Sequence, residues 1–110
     1  MIRVDIEFDE GGCLSLLTVR GHDKAASGKE SLVCGIVSAF SRTAAMLVEA
    51  ADGISWRGQA DKPGELYLSI QDYPAEMKDW LRGITEFVLK GMGDLHKESP
   101  DSLFVQTRRG

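Results

Sequence analysis

Between Val33 and Ala51 the chain carries a single apolar stripe at helical spacing, and no other feature constrains its fold as strongly. The stripe consists of Val33, Ile36, Val37, Phe40, Ala44, Leu47, Val48 and Ala51. A helix of this length hides such a face only when a second layer is laid against it. The residues ahead of it supply that layer. Ile2, Val4, Ile6 and Phe8 alternate with Arg3, Asp5 and Glu7, the period of a strand with one buried face. Asp9-Glu10-Gly11-Gly12 is a turn signal, and Cys13 to Arg20 returns as the second strand of a hairpin.

Residues 23–31 are small or polar and include Gly28, which predicts a mobile loop. Ser31 then offers a hydroxyl to cap the long helix, and Asp52-Gly53 stops it. Two short strands follow, Ile54 to Arg57 and Glu65 to Gln71, joined through Asp61-Lys62-Pro63-Gly64. Pro74 suits the first turn of a second helix, with Asp72 as a cap, and Met77, Trp80, Leu81, Ile84, Val88 and Leu95 recur along it. Gly91 and Gly93 are expected to fray its end, and Leu103 to Thr107 to add a last strand. The order ββαββα(β) describes an α+β two-layer sandwich. Its sheet is largely antiparallel, with two helices packed on one face. No repeat or linker divides residues 1–110, so the expectation is a single domain.

Charge narrows the functional classes. The formal net charge is -4, and Lys and Arg are scattered along the chain, which argues against direct nucleic-acid binding. Arg108 and Arg109 read as a solvated tail. Ser38, Ser41, Arg42 and Glu49 interrupt the apolar stretch from Leu32 to Ala51, so no membrane span is expected. Met1 runs straight into the first strand without an export signal, which predicts a cytoplasmic protein with reduced thiols. Neither CxxC nor His-x-x-x-His occurs, so no metal and no cofactor are expected.

Two thiols remain, Cys13 and Cys34. Cys13 lies in the hairpin and reads as packing. With Ser31 as the cap, Cys34 falls in the first helical turn, where free N–H groups and the helix dipole favour a thiolate. It stands about 100° round the helix from Val33, on a flank shared with the small residues Ser38, Ser41 and Ala45. The competing reading is an inert, packed thiol. A base is available in His22, at the end of a strand before the loop, with an ordinary pKa suited to taking a thiol proton. A solvent-facing loop histidine is the plain alternative. His96, among Lys97 and Glu98, is expected to be exposed. Ser38, one turn after Cys34, either orients a substrate or bonds back to its own helix.

The stretch from Gly21 to Ser38 resembles the ribosomal-processing cysteine protease family called Prp. Gly21-His22 is followed by a Gly-containing loop and then by Leu32-Val33-Cys34-Gly35-Ile36-Val37-Ser38, with eleven residues separating His22 from Cys34. Length, hairpin and helix also match. The resemblance implies a Cys-His dyad, with Cys34 as nucleophile and His22 as base, supported by Gly21, Ser31, Gly35 and Ser38. It implies removal of a short N-terminal extension from large-subunit ribosomal protein twenty-seven, by a homodimer whose loop between the catalytic residues moves over the substrate. Backbone N–H groups of Cys34 and Gly35 are the expected oxyanion donors. Family members usually carry an Asp three residues before the cysteine. This chain has Ser31 there, beside Glu30, and Gly28 is offset by about one residue from its usual place. That departure keeps two other readings in view, a non-catalytic module that binds a ribosomal protein and a thiol redox sensor.

Overall fold

A computed structural model describes residues 1–21, 28–60, 62 and 64–110, together with the backbone but not the side chains of Lys29 and Glu30. The observed elements are β1 (Ile2–Phe8), β2 (Leu14–Arg20), α1 (Lys29–Ala50), β3 (Ser55–Gln59), β4 (Leu66–Asp72), α2 (Lys78–Glu98) and β5 (Leu103–Arg109). A short 3-10 turn, Ala75–Met77, leads into α2 after Pro74. This is the expected order, with the final strand formed.

The five strands lie in the order β3-β4-β2-β1-β5. Every pairing is antiparallel except that of β1 with β5, which is parallel. One face of the sheet carries Val4, Ile6, Leu17, Leu68 and Leu103, all essentially buried. Val37, Ala44 and Val48 of α1 and Leu81, Val88 and Met92 of α2 close over them. Burying each such side chain contributes roughly 1.5–3 kcal/mol, so this one interface holds the two layers together.

The hairpin turn is knit by side chains. Asp9 Oδ1 accepts from the backbone N–H of Gly11 and of Cys13, both at 2.9 Å, and the Tyr73 hydroxyl donates to Asp9 Oδ2 at 2.5 Å. Beyond it, the Leu14 N–H donates to Thr85 Oγ1 at 2.7 Å, tying the start of β2 to α2.

Several local expectations change. Asp72 does not cap α2; its Oδ1 accepts from the N–H of Tyr73 at 2.9 Å. Gly91 and Gly93 do not fray α2, which runs through both to Glu98. The reason at Gly91 is packing: a Cβ there would stand 2.8 Å from a ring carbon of Phe40, so the missing side chain lets the helices approach. His96 is half-buried, its Nδ1 within 2.6 Å of the Leu103 carbonyl, because the chain turns back beside it to start β5. Arg108 and Arg109 are not a tail but the end of β5. Arg108 sits 3.5 Å from Glu7, and the Arg109 guanidinium lies 5.9 Å from the centre of the Phe8 ring.

Candidate active site

The site grows from the end of β2 and the first half of α1. Gly21 follows Arg20 directly with φ 96°, and a Cβ there would come within 2.5 Å of the Met1 carbonyl oxygen. Only glycine accepts both the left-handed backbone and that approach. His22, the expected base, and the loop through Ser27 lie outside the described residues.

α1 starts earlier than the capping pattern predicted. Its first residue is Lys29, and the cap is Gly28 with φ 61°, which has no side chain to bond the free N–H groups. The Leu32 N–H already donates to the Gly28 carbonyl at 3.2 Å. Ser31 is therefore inside the first turn and exposed, not the cap. Cys34 falls in the second turn, where its own N–H and that of Gly35 belong to the helical ladder. Those two groups are consequently not the oxyanion donors expected from sequence. The signal misled because Ser-x-x is a cap only when the residues before it cannot turn, and Gly28 can.

The angular placement of Cys34 agrees with the sequence. Val33, Val37 and Ser41 are buried against the sheet, whereas Gly35 and Ala39 face outward. Cys34 lies on the boundary between these arcs and is 9% exposed, compared with 0% for Cys13. Ser38, one turn on, is half-buried. Ser41 bonds back to its own helix, donating to the Val37 carbonyl at 2.7 Å. On the outward arc a shallow groove of about 570 Å³ is lined by Gly28, Ser31, Leu32, Gly35, Ile36 and Ala39, while Cys34 itself belongs to the edge of the core. A Cβ on Gly35 would meet nothing within 4 Å, so that wall is open. The structure thus gathers Ser31, Cys34, Gly35 and Ser38 on one stretch of α1, with Gly21 at the strand end that leads toward it. Among the described residues, no three metal-binding side chains gather into a ligand cluster.

The groove was only partly legible. Gly35 and Ser31 were singled out, Leu32 entered only within the family pattern and Ala39 not at all, since an apolar residue on the outer arc of a helix reads locally as incidental.

Fold and site together define a two-layer α+β domain with a thiol at the sheet-facing margin of its first helix. The family model described as cysteine protease Prp matches residues 1–103, and the chain belongs to that family of ribosomal-processing cysteine proteases. Solved structures agree in fold. SMU.848 from Streptococcus mutans superposes with a TM-score of 0.80 at 20% identity, over 100% of this chain and 96% of that one. The essential ribosomal processing protease Prp from S. aureus, solved with a substrate peptide, gives 0.77 at 16% identity, over 97% and 99% of the two chains. Its complex with a covalently linked product peptide gives 0.77 at 18%, with the same coverage. No curated protein matches the sequence.

Proposed function

We propose that the chain is a cytoplasmic endopeptidase that trims a short N-terminal extension from large-subunit ribosomal protein twenty-seven, with Cys34 as nucleophile and His22 as base. The observation that carries this reading is the position of Cys34. It is the thiol at the margin between the buried and outward arcs of α1, in a chain of a cysteine protease family. His22 takes the thiol proton, and the Cys34 sulfur attacks the carbonyl carbon of the scissile bond. The C–N bond breaks as His22 returns the proton to the leaving amine, and water then hydrolyses the thioester to release the carboxylate. Ser31 and Gly35 line the groove along which the peptide lies, and Ser38 orients it.

Support for a homodimer comes from the outer surface of the helices. The stretch Ser31–Ala50 is long and apolar enough to cross a membrane by length and composition, yet only 33% of it is buried. Leu32, Met46 and Leu47 of α1 and Phe87 of α2 are 46–65% exposed, and Phe87 touches Phe40 with ring centres 5.4 Å apart. Exposed large apolar side chains on both helices favour association. In the reading proposed here a second copy covers them. Met46→Glu then shifts the protein from dimer to monomer in sedimentation velocity; an unchanged dimer sends the interface elsewhere.

The direct test is incubation with the full-length ribosomal protein, analysed by intact mass. Loss of a short N-terminal segment, absent with Cys34→Ala, establishes the protease. No cleavage by a folded protein with a reactive Cys34 defeats this substrate assignment.

A further inference from the structure

The outer face of the sheet, opposite both helices, collects charge from segments far apart in sequence. The pairing registers set Arg20 beside Arg3, and Arg3 beside Phe104. The next row runs Gln59, Tyr67, Thr18, Asp5 and Gln106, and the row beyond it ends on Arg57 and Arg108.

Like charges directly opposite on paired strands repel. Arg3 and Arg20 turn to one carboxylate: Arg3 Nε donates to Asp5 Oδ2 at 3.1 Å, and Arg20 stands 3.8 Å from the same oxygen. Arg3 also donates to Gln106 at 2.9 Å and lies 5.3 Å from the centre of the Phe104 ring. Asp5 is only 8% exposed, so its charge is spent inside this cluster. Lys62 and Glu65 stand at the rim of the groove, which measures about 580 Å³. Among the described residues the face therefore carries Arg3, Arg20, Arg57, Arg108 and Lys62 against Asp5, Glu7 and Glu65, a surplus of two positive charges in a chain whose net charge is -4. Two aromatic rings share the same face, Tyr67 at 43% and Phe104 at 42% exposure.

We propose that this open face binds single-stranded RNA. The surplus arginine charge meets phosphates, the exposed rings of Tyr67 and Phe104 stack bases, and Thr18 between them and Gln106 beside Phe104 on β5 are neutral hydrogen-bonding groups for ribose hydroxyls. From β4 to β5 is three strand spacings, about 14 Å, room for a short run of nucleotides. An acidic peptide would satisfy the arginines but leave the two rings without a stacking partner, so the observations favour RNA. The proposal is independent of proteolysis, although a protease of ribosomal proteins works among RNA. The cations come from β1, β2, β3, β5 and the β3–β4 connection, which is why the linear sequence shows no basic stripe.

The test is fluorescence anisotropy with a labelled oligouridylate, repeated in Cys34→Ala so that the catalytic thiol has no part in it. Binding is expected at low salt, weakening about five- to ten-fold when the salt is tripled, as for two or three neutralised phosphates. Replacing Arg20 and Arg108 with Gln should weaken binding at least about tenfold and flatten that salt dependence. Tyr67→Ser, which touches no ion pair, should weaken it at least about fivefold with the salt dependence kept. A thermal melt checks that each variant is folded. No binding at low salt overturns the proposal, as does full affinity in Tyr67→Ser. Equal affinity for oligoglutamate turns the face into an acidic-protein site, and equal affinity for oligothymidylate removes the ribose contacts; either result overturns the commitment to RNA.

Discussion

The two ends of β2 are built on opposite plans. At its start, Cys13 is wholly buried, its Sγ donates to the Lys78 carbonyl at 3.4 Å, and Asp9 closes the turn with three hydrogen bonds. Past its other end, the long helix starts on a glycine, which has no side chain to cap it, and Cys34 stands at the edge of the core. A thiol surrounded by satisfied polar groups has nothing left to do. A thiol at the margin of the core, one turn into a helix that begins on a glycine, is the one on which the proposed chemistry rests. The two cysteines thus differ in their depth within the core, and the proposed chemistry uses the shallower one.

The sharpest way to break this comparison is to exchange the two thiols for alanine. Cys34→Ala should lower cleavage by at least about a thousandfold, as expected on losing a nucleophile. Cys13→Ala should keep the rate within a few-fold while costing about 1–3 kcal/mol in denaturant unfolding. Equal loss of activity from both would erase the distinction. Alkylation by iodoacetamide, followed by mass spectrometry, should likewise modify Cys34 well before Cys13.

The hairpin end is sharpened by Asp9→Ala, which strips three hydrogen bonds and should cost about 1–2 kcal/mol. Burial pushes the Asp9 carboxyl up, but the Tyr73 hydroxyl, the Cys13 and Gly11 N–H groups and the Lys78 charge together hold it below the ordinary 3.8. The hydrogen bond to Asp9 in turn raises Tyr73 well above the usual phenol value. Because the Asp9 pKa is depressed in the folded state, its stabilisation is complete above the unfolded value and is lost as pH falls through the folded one. Urea titrations below pH 3.8 should show a steeper loss in the wild type than in Asp9→Asn. Parallel curves would mean the turn does not depend on that charge.

The smallest effect is expected at the other end. Gly28→Ala forces a side chain onto a φ of 61° and should cost about 1 kcal/mol, although nothing crowds the position. A neutral result would mean that the helix start shifts toward Ser31, the cap expected from sequence.

That expectation shows how far local reading reaches. The hairpin, both helices, the order of elements along the chain and the angular placement of Cys34 were legible because each follows from periodicity within a few residues. The start of α1 was not. Gly28 and Ser31 both suit a cap, and the choice between them depends on the chain around them. Gly91 looked like a helix breaker because its purpose, the approach of Phe40, comes from another helix. His96 and the terminal arginines were misjudged for the same reason: their partners, Leu103, Glu7 and Phe8, are placed by the pairing of β5 with β1.

By itself the sequence determined the element types, the two-layer class, the candidate thiol and histidine and the family pattern that joins them, since all are written in short-range spacing. Tertiary structure alone decided which cap begins α1, that β5 lies parallel to β1, and that five cations share one face of the sheet. Those outcomes depend on pairing segments distant along the chain. Backbone hydrogen bonding in a sheet brings such segments together whatever their side chains announce locally, and the side chains then meet neighbours that no window of sequence contains.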